Sequence, residues 1–230
     1  MINTKKILTY SKLLSENNNK IWMHEHQVDK KNTITEFESL VEEVELQISK
    51  FDNSIPFTPA NKLTFKFVRD TRFSNDKAPY NPTFRAHIST NGKMPIPVGY
   101  YISIKSNNQS FIGGGLFASM FKDATKKVRD YIYTNPKEFT RIITKKDFID
   151  NFEVMGEKLK RVPKEYDCDL EIAEYLKHKN WYLEYRLADF EIEDSEKIIE
   201  LMIEKFKLMK EFNAFLNKAL IGFEMPKRKR

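Results

Sequence analysis

A single cysteine, Cys168, leaves this chain of 230 residues without an intramolecular disulfide or a multi-cysteine metal site. Its neighbours Asp167 and Asp169 would raise a thiol pKa, which makes it a poor nucleophile. The sequence has no Cys/His zinc spacing, no HExxH pair and no Ser-His-Asp ordering. No apolar run approaches the ~20 residues a membrane helix needs. Lys5 and Lys6 precede only Ile7 and Leu8 before polar residues resume, which is no signal peptide. These absences exclude a disulfide scaffold and a membrane span, and lead us to expect a soluble, cytoplasmic protein. Glycine is also scarce, at 7 residues, and three of those are consecutive, Gly113 to Gly115.

Aromatic residues make up 13% of the chain and apolar residues 40%, enough to build a sizeable core. The net charge is +6, which at first suggests an anionic partner. Four of those charges sit in the terminal run Lys227, Arg228, Lys229 and Arg230, and a nucleic-acid domain concentrates its cations on a folded face instead. We therefore expect a folded domain over residues 1–222 and a basic, disordered tail over 223–230. The alternative function is a non-catalytic interaction module that binds protein or nucleic acid through that tail and exposed aromatics.

Leu63 to Ile88 is the stretch around which the rest is organised. Leu63, Phe65 and Phe67 alternate with Thr64, Lys66 and Val68, and Phe84, Ala86 and Ile88 with Arg85 and His87. A period of two predicts two half-buried strands. Between them Asp70 to Pro82 is a long charged connection that Pro79 and Pro82 keep irregular. Connections of more than about 12 residues are uncommon unless they have a function.

Helices are predicted over residues 4–15, at Trp22, and from Asn32 or Thr33 to Phe51. Asn17 to Asn19 separate the first two and cap the second, and Thr33 with Glu36 fits a capping box for the third. Further strands are predicted over Pro97 to Ile104 and at Ser110 to Ile112, joined by a turn at Asn107-Asn108. The glycine triplet then leads into a helix over Ala118 to Tyr133, and Pro136 opens another. After a strand over Phe152 to Lys160, a helix over Leu170 to His178 and a strand over Trp181 to Leu187, an amphipathic helix spans Asp194 to Leu220. The fold class is α+β: a mainly antiparallel sheet flanked by N-terminal helices and a long C-terminal amphipathic helix.

The run Phe67-Val68-Arg69-Asp70-Thr71-Arg72-Phe73-Ser74-Asn75-Asp76-Lys77-Ala78-Pro79-Tyr80 resembles the signature of an uncharacterised family, domain of unknown function 2461. The likeness includes Asn17-Asn18-Asn19-Lys20-Ile21-Trp22, Val98-Gly99-Tyr100-Tyr101, Gly113-Gly114-Gly115-Leu116, Gly156, Leu159-Lys160-Arg161, and Pro163 with Tyr166. Met23 departs from it where the family has Phe. The resemblance implies no reaction, because the family has none established, and the sequence leaves any cofactor unknown.

Candidate chemistry centres on the charged connection. Arg69, Arg72 and Lys77 can present donors to a carboxylate or phosphate, with Asp70 and Asp76 orienting them and Tyr80 adding a hydroxyl. The same charges can instead pair with one another, Arg72 with Asp76 or Asp70 with Lys77, and pin the loop. Gly113, Gly114 and Gly115, read as a strand-to-helix turn, can aim N–H groups at an anion, or they can allow close packing. His87 is the one candidate general acid or base, on the strand face that could look towards the charged loop, with Asp70 and Tyr80 as further catalytic candidates. His24, Glu25 and His26 diverge on a helix, so no metal is expected, and His178 reads as a solvated helix end. Tyr100-Tyr101 and Trp181-Tyr182 can stack on bases, or fill core and surface. The leading expectation is a small anionic ligand at the charged loop, with or without a reaction.

Overall fold

The computed structural model describes residues 2–72, 74–166 and 171–226. Asn3 caps the first helix, α1 (Thr4–Glu16), by accepting from Lys6 N at 2.9 Å, and Asn19 caps α2 (Lys20–Glu25) through Trp22 N at 2.9 Å. The third helix, α3 (Gln27–Ser49), begins well before Thr33, which lies buried inside it. The expected capping box is therefore not formed. The Thr33 hydroxyl donates to Asp29 O at 2.7 Å, the usual outlet for a mid-helix threonine.

One helical turn, α4 (Ala60–Leu63), precedes the sheet. The sheet is built from β1 (Phe84–Ile88), β2 (Gly99–Ile104) and β3 (Ser110–Leu116). Helices α5 (Lys122–Thr134), α6 (Pro136–Ile143), α7 (Lys146–Ile149) and α8 (Ala173–Leu176) follow. The fourth strand, β4 (Trp181–Leu187), short α9 (Asp189–Ile192) and long α10 (Ser195–Ala219) complete the order. All three strand pairings are antiparallel, in the order β1-β2-β3-β4. Asn107 and Asn108 lie in the five-residue β2–β3 connection with φ of 65° and 55°, the left-handed conformation that Asn tolerates in turns. The carboxylate of Asp189 accepts from both of their N–H groups at 2.9 Å.

The register sorts the side chains onto two faces. Phe84, Ala86, Ile88, Tyr100, Ile102, Ile104, Ile112 and Leu183 share the inner face and are buried beneath α1, α3 and α10. Arg85, His87, Tyr101, Ser103, Phe111, Tyr182, Glu184 and Arg186 share the outer face. Asn213 and Asn217, one turn apart on α10, bind the entry to β2 directly. Asn217 accepts from Val98 N at 2.8 Å and donates to Val98 O at 3.0 Å, and Asn213 donates to Gly99 O at 3.1 Å. At the far end, Phe223 packs on Phe121 and Met225 lies against the core.

Two expected strands are not regular strands. Residues 64–68 make only isolated bridges, Thr64 to Ala86 and Val68 to Tyr80, and 155–158 likewise, Met155 to Tyr182 and Lys158 to His178. Each segment runs along an outer strand and covers part of a sheet edge, which limits pairing with another chain. Leu63 and Phe67 enter the core, but Phe65 turns to the outer face, where its ring lies 6.3 Å from Tyr101. A period-two pattern requires a regular pleat, and the helical turn at α4 breaks it. No helix among the described residues is long and apolar enough to cross a membrane.

Candidate functional site

The charged connection folds back on itself. Val68 and Tyr80 pair across its stem, where Arg69 N donates to Pro79 O at 3.0 Å and Asn81 N to Phe67 O at 2.7 Å. Arg72 grips Asp70 in a fork, Nε to Oδ1 at 2.9 Å and Nη2 to Oδ2 at 2.6 Å. That grip holds the Asp70 carboxyl down at about 2. Arg69 pairs with Asp76, whose other oxygen accepts from Ala78 N, and Lys77 donates to Thr71 O at 3.1 Å. The pairs are thus Arg69–Asp76 and Asp70–Arg72, not the Arg72–Asp76 and Asp70–Lys77 pairs that the sequence suggested. A chain reversal at the loop tip puts position 69 opposite 76, which linear spacing does not show.

Asn18 holds the loop to the helices by donating to Tyr80 O at 2.9 Å and accepting from Tyr80 N at 3.1 Å. Tyr10 sits beneath, with ring centroids 5.8 Å from Trp22, 6.3 Å from Phe67 and 6.1 Å from Phe84. The two longest motifs of the sequence are therefore parts of one structural joint. Asn18→Ala is expected to cost about 1–3 kcal/mol, because it removes both bonds that hold a partly buried backbone. Urea unfolding measures the loss, and trypsin should cut faster at Arg72 and Lys77. An unchanged midpoint and cutting rate would mean that Asn18 is not the anchor.

The glycine triplet is not a turn. Gly113, Gly114 and Gly115 lie within β3, paired on one side with Tyr101, Tyr100 and Gly99 and on the other with Glu184, Leu183 and Tyr182. Their main chain serves the ladder between two neighbouring strands, so the expected anion cradle does not form. Residues 117–121 separate β3 from α5, and Phe117 folds back over Gly113, where a Cβ would stand 2.9 Å from its ring.

His87 shares its cavity with none of the loop's charged residues. It is 5% exposed and lines a cavity of about 350 Å³ on the outer sheet face with Phe65, Lys93, Pro95, Tyr101, Phe111, Gly115 and Phe117. Burial lowers its pKa to about 4, outweighing the adjacent backbone of Met94 and Lys93. The imidazole is therefore neutral at pH 7, with one donor and one acceptor nitrogen. Tyr101 stacks on Phe111 at 5.8 Å, Phe117 lies 5.3 Å from Tyr101, and Phe117 stacks on Tyr182 at 4.6 Å. Arg85 and Lys93 approach the Phe65 ring at 5.3 and 6.0 Å, and Arg85 Nε is buried without a hydrogen-bond partner.

Of the sequence-selected residues, His87, Tyr101 and Gly115 line this cavity, while Arg69, Asp70, Arg72, Asp76, Lys77 and Tyr80 are drawn together elsewhere, in the loop. Phe65, Lys93 and Phe117 were missed. Phe65 shares the alternation of Leu63 and Phe67 and so reads as one more core residue, and the half-buried Lys93 carries no periodic signal. His178 is also corrected: it is fully buried and stacked on Trp181, with Nε2 unpartnered. The Lys158 bridge and the tight main chain at Gly156 enclose it. Tyr100 and Trp181 are core residues, whereas Tyr101 and Tyr182 are half-buried on the outer face. Trp22 stacks on His26 at 4.2 Å, and among the described residues no group of three His, Cys, Asp or Glu is placed to hold a metal ion. Cys168 and the basic run 227–230 lie outside the described residues.

The model of the conserved hypothetical protein family, domain of unknown function 2461, matches residues 6–215. The chain belongs to that family. No curated protein and no solved structure matches it. The matched span runs from α1 to the later turns of α10, so in this member the family fold includes both the loop joint and the outer-face cavity.

Proposed function

We propose that this member of domain of unknown function 2461 binds a small planar anion, its ring between the aromatic walls of the His87 cavity and its acid group towards Lys93 and Arg85. One observation carries the reading: Lys93 lines an aromatic cavity whose lining residues include no carboxylate, and a second cation, Arg85, lies over one of its rings, Phe65. The volume, about 350 Å³, lies at the lower end of the roughly 300–1,000 Å³ of ligand sites. Stacking supplies affinity that tolerates chemical variety, and the cations select charge. Neutral His87 can fix orientation through a hydrogen bond.

A thermal-shift screen with benzoate, indole-3-carboxylate and adenosine monophosphate tests this, since a ligand of the native state raises its stability. Saturable shifts are expected, with Kd at least tenfold weaker in Lys93→Ala and Arg85→Ala, the scale of a charge-assisted hydrogen bond. The pair Arg72→Ala, Lys77→Ala should leave Kd unchanged. If that pair abolishes the shift instead, the ligand sits at the charged loop with Arg69, Asp70, Asp76 and Tyr80. No shift for any probe would refute small-anion binding at both places.

A second reading, single-stranded nucleic acid on the outer face, draws on half-buried Tyr101, Phe111, Phe117 and Tyr182 there. It requires steep loss of affinity with salt, and a contribution from Lys227, Arg228, Lys229 and Arg230 that their deletion removes.

A further inference from the structure

On the opposite, helix-covered side of the sheet lies a larger space of about 690 Å³. It opens between the turn after α3, the entry to β2 and the last turns of α10. Ile55, Pro97, Val98, Leu220 and Phe223 give it apolar walls. Its floor holds a buried polar arrangement. Tyr100, fully buried, donates its phenol to Asp52 Oδ2 at 2.7 Å, and Asp52 Oδ1 accepts from Ser54 N at 3.1 Å and Ser54 Oγ at 2.7 Å. The hydrogen-bonding capacity of that carboxylate is used within this chain. Asn213, 3% exposed, also lines the space; its Nδ2 is used by Gly99, and its Oδ1 is buried with no partner. A buried acceptor left unpaired costs stability, and a ligand hydroxyl or N–H would supply what is missing. Lys210 and Lys218 stand at the rim. Lys210 donates to Phe51 O and Lys218 pairs with Glu138, each using one of three ammonium donors.

We infer that this space is a second ligand site, for an apolar carboxylic acid that also carries a hydrogen-bond donor. The chain of the acid lies along Ile55, Val98, Leu220 and Phe223, its carboxylate reaches Lys210 and Lys218, and its hydroxyl or N–H pairs with Asn213 Oδ1. Volume supports the assignment, as it falls within the roughly 300–1,000 Å³ of ligand sites. So does charge: Asp52 is bound by Tyr100 and Ser54, and Lys210, which pairs with no carboxylate among the described residues, stands at the mouth beside Lys218, whose ammonium also pairs with Glu138. The site uses no residue of the His87 cavity and stands whether or not that one binds.

Isothermal titration of the full chain with decanoate and 3-hydroxydecanoate, both below their micelle concentrations, tests the inference. Both acids should bind saturably, and the hydroxylated one at least fivefold tighter. The pair Lys210→Ala, Lys218→Ala should weaken both at least tenfold. Ala214→Phe, at an exposed position of the rim, should block both while leaving the melting temperature within a few degrees. No saturable heat with either acid, or binding indifferent to Ala214→Phe, overturns the site. Equal affinity for the two acids overturns the role given to Asn213.

Discussion

Gly115→Ala is expected to yield little or no folded protein. Gly115 has φ of +95°, where an L side chain is strained, and its new Cβ would stand 2.5 Å from Trp181 O and 2.9 Å from Tyr182 Cα. Both neighbours belong to the main chain of β4, so neither can rotate away. Strain of about 1–3 kcal/mol adds to an overpacking cost of about 1–3 kcal/mol or more, a large share of a typical total of about 5–15 kcal/mol. The triplet supplies its own controls. Gly113→Ala meets Leu183 O at 2.5 Å and the Phe117 ring at 2.9 Å, while Gly114→Ala meets only side chains, of Asn213 and Met209. The expected order of damage in urea unfolding is Gly115, then Gly113, then Gly114. A folded Gly115→Ala protein less than 1 kcal/mol below wild type would show that β3 can shift against β4.

Acidification from pH 6.5 to 4 should destabilise the fold steeply. His87 and His178 are both held near 4 by burial, His178 also by Lys158, against about 6.5 in an unfolded chain. The unfolded state takes up protons first, so stability is full above pH 6.5 and falls as pH drops towards 4. Each histidine contributes up to about 3 kcal/mol of that loss, at about 1.4 kcal/mol per pH unit. Glu45 acts in the opposite sense. It is 1% exposed, with Oε2 unpartnered, and burial raises its carboxyl to about 7 despite the hydrogen bond from Thr58 N. Its ionisation therefore removes stability as pH rises from 4.5 to 7, which blunts the histidine effect and places the optimum near neutrality. Unfolding midpoints at pH 5 and 7 should converge in His178→Phe, which keeps the ring on Trp181. Glu45→Gln should gain stability chiefly above pH 7. A His178→Phe protein as acid-sensitive as wild type would assign the acid limb to carboxylates.

Much of this was legible in the sequence. Periodicity located α1, β1, β4 and α10 closely, and Asn107-Asn108 announced its hairpin, because each of those signals is local. Three features were not local. Nothing between Met23 and Gln27 signals that α3 starts directly after His26, and the chemistry of Thr33 imitates a cap. The glycines between Ile112 and Leu116 read as a turn, whereas they are the part of β3 on which the return of Phe117 and the passage of α10 depend. The charges of the 69–80 loop were wrongly paired, since their partners depend on the reversal at its tip. His178, flanked by two lysines, reads as solvent-facing, yet Arg129 binds Leu176 O and His178 O and draws that turn into the core. A flanking charge describes its own side chain and not its neighbour's.

The amides of Asn213 and Asn217 stand in for a neighbouring strand along Val98 and Gly99. During synthesis these residues leave the ribosome after all four strands have emerged. The entry to β2 thus waits, with part of its main chain hydrated, for two asparagines more than a hundred residues downstream. Long-range closures of this kind slow folding. They also leave the nascent chain dependent on α10, so a product stalled or truncated before it should be retained by chaperones and not released folded.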